Sequence, residues 1–430
     1  MRKSKFLSVL TATTLALTLA VPTVMPLELT TGVVKAVEVT TTAPSQKIEG
    51  RCGDNAIYSY DKATRTLTIS GTGAMWNGTK YSHLGTVDKI VIGNGITVIG
   101  EDAFAQFNSV GSAEISDTVT TIKGNAFNDL KSITIPKTVR TVETDAFNGV
   151  GKVVVEGDMN NFQYGALGDE VQEVQLKGSA ETLGLALAKV DDPTVTIAKD
   201  NNRCRIANGC LVSSDGKTVY YHISDSNKVT IPDTAVTIKS AAFYNQGISE
   251  VKLGKNVKTI EPYAFAENPV SKLTTNSKLK KIGRCAFEET KLKKVTLKSS
   301  VAMSPKAFDQ KVILTSTKSL KSAKTVMTSA TFKKNKINAK FAKLTGAKGY
   351  QVQIKKGGKT YKYFTTKTSI KVKAPKVFKK KYNVGFSYDI DNYTSKIEGK
   401  PAYISVRPYK IVKKNKKSYG KWSEKIILTK

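Results

Sequence analysis

An Ala-Phe pair recurs along this chain almost in phase, ending at Phe104, Phe127 and Phe147, and again at Phe243, Phe265, Phe287 and Phe308. Neighbouring pairs stand 23, 20, 22, 22 and 21 residues apart. Each closes the same apolar ladder. One copy runs Leu130, Ile133, Ile135-Pro136, Val139, Val142, Ala146-Phe147, and another runs Ile248, Val251, Leu253, Val257, Ile260, Ala264-Phe265. A period near 22 residues means stacked coils, because one such unit cannot bury its own apolar side and must lie on a copy of itself. The alternation at Ile133 and Ile135 predicts a short strand with one buried face. Pro136 follows where the strand ladder stops. Alanine allows a close turn, and phenylalanine fills the interior, stacking on the ring of the next coil.

Between Phe147 and Phe243 the spacing persists with altered residues. Val150, Val153, Val155, Met159, Phe162 and Ala166-Leu167 form one unit, and Val171, Val174, Leu176, Ala180 and Leu183 another that ends loosely at Leu187. Nine units result, and with strands about 4.8 Å apart they predict a rod about 40 Å long. The pattern I-x-I-P-x-x-V-x-x-I-x-x-x-A-F, matched over roughly 87–310, resembles the BspA-like leucine-rich repeats of exported bacterial proteins. Two further segments carry the resemblance. Cys52-Gly53-Asp54-Asn55, leading through Tyr58-Ser59-Tyr60 to Leu67–Met75, is similar to the hairpin that opens such proteins and would cover the first coil's free edge. Asn208–Tyr221, with a tight turn at Asp215-Gly216, resembles a hairpin island that these solenoids carry. The resemblance implies surface exposure and, for some members, binding to extracellular-matrix proteins such as fibronectin or fibrinogen.

The net charge of +33 is unevenly placed, with 32 Lys or Arg against 4 Asp or Glu in residues 311–430. Such asymmetry implies an anionic partner for one end of the molecule. Arg2, Lys3 and Lys5 precede an apolar stretch from Phe6 to Leu27, broken by Pro22 and Pro26, which reads as an export signal rather than a retained anchor. Small residues at Val34-Lys35-Ala36 and at Thr18-Leu19-Ala20 offer two cleavage sites, and residues 1–36 are taken as the leader. An exported protein does not meet chromosomal DNA, so nucleic acid is not expected as a partner despite the basic tail. Anionic wall polymers, acidic polysaccharides or a lipid surface remain, an anionic cell-wall polymer being the partner expected for the basic module. Cys52, Cys204, Cys210 and Cys285 form no metal-like spacing. Cys204 and Cys210 are near enough in sequence for a disulfide, which stays open, and Cys52 and Cys285 read as small buried hydrophobes.

After a Ser/Thr/Lys-rich stretch at 315–330, read as a linker, short strands are predicted at 337–341, 350–354, 361–364, 369–372, 403–409 and 425–428, with Gly357-Gly358 as a hairpin turn. Leu344–Ile354, and Ile404–Tyr409 followed by Tyr419-Gly420-Lys421-Trp422-Ser423, resemble parts of fibronectin type III-like modules of secreted bacterial proteins, and 382–401 departs from that strand spacing. The resulting organisation is a mainly β chain. It comprises leader 1–36, linker 37–51, capping hairpin 52–86, solenoid 87–314 with a hairpin island near 204–228, linker 315–330 and a basic β-sandwich at 331–430. Lys413–Lys417 would be a hairpin tip.

No catalytic, cofactor or metal residue is assigned, and no cofactor is expected. His83 and His222 are the two histidines, and no nucleophile elbow, HExxH or phosphate-cradling loop occurs. Asp389, Asp391 and Asn392 offer oxygens to calcium without a complete loop. Trp76 and Trp422 are read as cap or core packing. The sequence therefore predicts a non-catalytic secreted or cell-surface binding protein, its solenoid directed to an extracellular protein or polysaccharide. The alternatives are a structural envelope protein and a carbohydrate-binding protein without host adhesion.

Overall fold

The computed structural model of the chain describes residues 47–317, 319–375, 378, 385–389, 394–398, 401–412 and 416–428. The expected leader therefore lies outside the described residues, as do Asp391, Asn392 and 413–415. Three antiparallel strands, Lys47–Arg51, Gly53–Asp61 and Thr66–Met75, open the fold. The first of these falls within the stretch expected as a linker. Thr66–Met75 serves two ladders at once: its first half pairs in parallel with Lys89–Ile92, and Gly73 and Ala74 pair with Ile96 and Val98. The strand changes ladder at Gly71, whose φ of +98° is open to glycine, and a Cβ there would stand 2.1 Å from the Asn55 carbonyl oxygen. The hairpin thus covers the end of both sheets of the first coil.

Each coil then repeats one path. Short strands stack in register, so that Ile133, Val153, Val174 and Val195 form one buried or half-buried row. A second ladder pairs Ile99, Ile122, Val142 and Phe162. The Ala-Phe corner is a third ladder. The Phe104 N–H donates to the Ala126 carbonyl at 2.9 Å, Phe243 to Ala264 at 2.9 Å and Phe265 to Ala286 at 2.9 Å. The rings stack inside, with centroids 4.7 Å apart for Phe243 and Phe265, 5.2 Å for Phe265 and Phe287, and 5.1 Å for Phe287 and Phe308. The corner needs left-handed backbone just before each pair. Asp102, Asn125, Asp145, Ala241, Tyr263, Cys285 and Lys306 all have φ between 53° and 60°. Asn and Asp tolerate that region, whereas the other residues are held there by the coil's hydrogen bonds and packing.

The coil strands exceed the nine units counted from sequence. Two more, Thr194–Ile197 and Ile313–Ser316, begin coils that no Ala-Phe pair closes. After the first of them the chain leaves the solenoid path. Strands Cys204–Ala207, Cys210–Ser213 and Thr218–His222 form the expected hairpin island, with Gly216 at φ +71° in its turn. Side chains alternate across a strand, and this hairpin uses both faces. Leu211 and Tyr220 close the core of the first half, whereas Cys210, Val212 and Val219 open the core of the second. The continuous apolar run there reflects burial on two sides. The irregularity expected at 150–190 includes a short helix, Leu183–Ala186, at whose Gly184 a Cβ would stand 2.6 Å from the Ala241 carbonyl oxygen. The two halves pinch together at that point.

The second core runs on without a break into the C-terminal module. Ile313–Ser316 pairs in parallel with Lys343–Leu344. Within the stretch 315–330, expected as a linker, Val326 and Met327 are buried and Met327–Lys333 is a strand. The module is a sandwich of two antiparallel sheets. Met327–Lys333, Lys336–Phe341 and Ser369–Lys373 make one. Lys359–Thr365, Gly349–Lys356, Tyr403–Ile411 and Lys417–Tyr419, with Ile426–Ile427 beside Tyr403–Ile411, make the other. Gly357 and Gly358, at φ +53° and +74°, form the predicted hairpin turn. Val352, Ile354, Ile404 and Val406 face Ile337 and Ala339 across the core.

Candidate binding surfaces

The residues with the most chemistry to offer have structural surroundings. His83 is exposed and shares a hydrogen bond of 3.0 Å with the Tyr58 hydroxyl of the cap. His222 is buried with its ring centroid 5.4 Å from that of Phe243, where it ends the second aromatic stack. Burial holds its pKa below the usual histidine range, opposed by Gln246 and by the Asp225 charge. All four cysteines are free and buried. Cys204 and Cys210 are not opposed in their hairpin, since Cys204 faces Ser213 and Cys210 faces Ala207. Burial pushes the thiols up, to about 11 for Cys52 and Cys204 and about 12 for Cys210 and Cys285. Trp76 lies on the cap with 44% of its surface exposed, and its indole N–H donates to Asp54 at 3.0 Å. Trp422 is half-buried on the module. Asp389 ends the strand Gly385–Asp389.

Two surfaces stand out. The first is a cleft where the island interrupts the solenoid. Its hairpin continues only one of the two main ladders, through parallel pairing of Thr218–His222 with Thr237–Ile238. In the other ladder Thr194–Ile197 and Lys228–Thr230 each end a sheet. The cleft beside this split is lined by Asp191, Asp192, Tyr221, Asp225, Tyr244 and Gln246 among others. Sequence reasoning missed it, and the one signal for it is the Ala-Phe pair that fails to follow Ile197.

The second surface belongs to the module, and charge sets it apart. Residues 47–200 hold 14 Lys or Arg against 20 Asp or Glu, a net of −6, and residues 201–310 hold 18 against 9, a net of +9. Residues 311–430 hold 32 against 4, a net of +28. On the solenoid many charges pair across neighbouring coils, as in Lys152–Glu173 at 3.0 Å and Lys272–Glu250 at 3.1 Å. Such exposed pairs stabilise little, about 0–1 kcal/mol each, but they cancel the local field. The module has too few carboxylates to do the same. Among the described residues no helix is long and apolar enough to cross a membrane.

The family described as BspA type leucine rich repeat region, in 6 copies, matches residues 66–166 and 215–338, together more than half of the chain. The span between those matches holds the altered coils and the split. No curated protein sequence matches. Solved structures that match include a leucine-rich repeat protein from Eubacterium ventriosum, 18% identical, covering 64% of this chain and 86% of that one with a TM-score of 0.39. The pneumococcal vaccine antigen PcpA is 12% identical over 64% of this chain and 94% of that one, with a TM-score of 0.40. A leucine-rich cell surface protein from Faecalibacterium prausnitzii is 12% identical over 61% and 87%, with a TM-score of 0.37.

Proposed function

This chain belongs to the BspA-type leucine-rich repeat family, and on that premise we propose that it is an exported surface protein with two binding roles in one body. The solenoid binds other proteins, extracellular-matrix proteins among them, and the basic module holds the molecule to anionic envelope polymer. Residues 1–36 act as the export signal. The module is read as fibronectin type III-like, a reading supported by its two facing sheets and by the Leu344–Ile354 and Ile404–Tyr409 patterns. The carrying observation is the charge separation, −6 over 47–200 against +28 over 311–430, within a fold whose second core is shared with the module. Like charge repels the module from other cations and draws it to polyanions, while the acidic half is repelled by them. The reading is of a binding protein rather than an enzyme, supported by the buried, packed settings of His222 and the four cysteines.

Because the solenoid and module share a core, cutting at 330 would expose it, so the test uses the whole chain from residue 37. Its binding to immobilised fibronectin, fibrinogen and purified cell wall is measured at low and high salt. Matrix binding that survives high salt supports adhesion through the solenoid. Binding to wall alone, abolished by salt, leaves an envelope component and removes the adhesin reading for these ligands.

A further inference from the structure

We propose that the outer face of the module's larger sheet is a preorganised site for a polyol-phosphate polymer, a flexible single chain carrying one phosphodiester per repeat and no bases. This rests on the envelope-retention reading above and assigns it to particular side chains. The cross-strand register places Gln351 opposite Arg407, Gln353 opposite Ser405 and Lys355 opposite Tyr403. Phe364 lies opposite Gln351, and Lys362 opposite Gln353, on the neighbouring strand. Strand alternation sends these residues outward, because Val352, Ile354, Ile404 and Val406 between them are wholly buried in the core.

The cations on this face are held in place. The Arg407 guanidinium carbon lies 4.0 Å from the Tyr419 ring centroid and 4.5 Å from that of Trp422. Its Nε donates to Gln351 Oε1 at 2.8 Å, and Gln351 is itself only 4% exposed. Lys417 Nζ stands 4.6 Å from the Phe364 centroid and 5.4 Å from that of Tyr409, and Lys425 Nζ stands 5.9 Å from Tyr403. A free lysine or arginine loses rotamer entropy when a ligand fixes it. Here the rings have already taken part of that loss, so a bound anion meets cations in position. The terminal N–H groups of Arg407 remain for a planar, two-point contact with a phosphate.

The same geometry chooses among polyanions. Arg407 lies over both Tyr419 and Trp422, so these two rings offer few bare faces for sugar stacking, while Phe364 and Tyr403 stay 48% and 37% exposed beside their lysines. At Arg407, where the charge is most firmly held, the face reads a two-point anion rather than a pyranose ring, and a phosphodiester chain supplies one at every repeat.

The test is binding of the chain from residue 37 to lipid-free poly(glycerol phosphate) across a salt series, beside polygalacturonate and duplex DNA. The triple variant R407Q/K417Q/K425Q is compared with K336Q/K371Q/K373Q, which removes equal charge from the other sheet. The face triple is expected to weaken binding at least about tenfold and to lower the log–log salt slope by about two. The control triple should change affinity by no more than about threefold and leave the slope unchanged. R407K keeps the charge but loses the two-point geometry, and should weaken binding several-fold; it decides the matter if the face triple lowers the melting temperature. Equal losses in both triples, or an unchanged R407K, overturn the site while leaving retention intact. Tighter binding of polygalacturonate or DNA overturns the choice of ligand. No binding of any polyanion at low salt removes the envelope reading itself.

Discussion

Replacing Phe265 with alanine tests whether the solenoid is two cores rather than one. The ring is wholly buried and lies in mid-stack, 4.7 Å from Phe243 and 5.2 Å from Phe287. Burial and cavity terms for Phe→Ala amount to about 3–5 kcal/mol, and the lost ring contacts fall within that range. In a quasi-one-dimensional fold this cost concentrates in the coils that share the stack. Buried cysteines report where it falls. Cys285 and Cys210 belong to the second half, and Cys52 lies under the N-terminal cap in the first core. Thiol labelling under native conditions, resolved by mass spectrometry, should speed up at Cys285 and Cys210 by about a hundredfold to a few thousandfold. Cys52 should change by no more than about threefold. Equal acceleration at Cys52 would show that the halves open as one unit, and the partition by the 204–222 hairpin would be wrong.

Three further outcomes are expected. The folded pKa of His222 is depressed below its ordinary 6.5, so the unfolded chain binds more protons as pH falls. Its contribution is therefore intact above that value and lost progressively as pH drops through 6.5 toward the folded pKa. His222→Phe should remove that component of the melting-temperature profile between pH 7.5 and 5, and an unchanged profile would contradict the burial of a neutral ring. Glu289 is exposed with φ at 55°, so Glu289→Gly should stabilise by about 0.5–1 kcal/mol in denaturant titration, while a loss would mean that the side chain holds the corner. Gly184→Ala forces a methyl against the Ala241 carbonyl and should cost about 1–3 kcal/mol by the same titration, with a neutral result denying the pinch between the halves.

The coil path was legible because its apolar period repeats seven times in phase and each position has one physical reason. The left-handed residues before Ala-Phe were not. Asp102 and Asn125 hint at them, but Tyr263, Cys285 and Lys306 carry no such signature and take their φ from the coil around them. Buried Asn268 was equally silent, although its side-chain oxygen accepts from the backbone N–H groups of Gln246 and Ile248, at 3.0 and 2.9 Å, and so ties one turn to the next coil. The Ser/Thr/Lys composition of 315–330 concealed Val326 and Met327, whose burial depends on the last coil lying beside them. Alternation placed lysines outward on the module, but the rings beneath Arg407 and Lys417 follow from cross-strand register, which one sequence does not reveal. The cleft beside Asp191 and Asp225 arises from a missing element, and absence is hard to read from residues that are present.

The most direct measurement of the account is a sandwich on the envelope. The chain from residue 37 is adsorbed to purified cell wall at low salt, washed, and then offered soluble fibronectin or fibrinogen, with release followed as salt is raised. The wall-bound protein should still capture the second protein, and salt should then release both together. Wall binding that blocks capture, or retention that high salt does not disturb, would contradict a molecule held by one charged end and presenting the other.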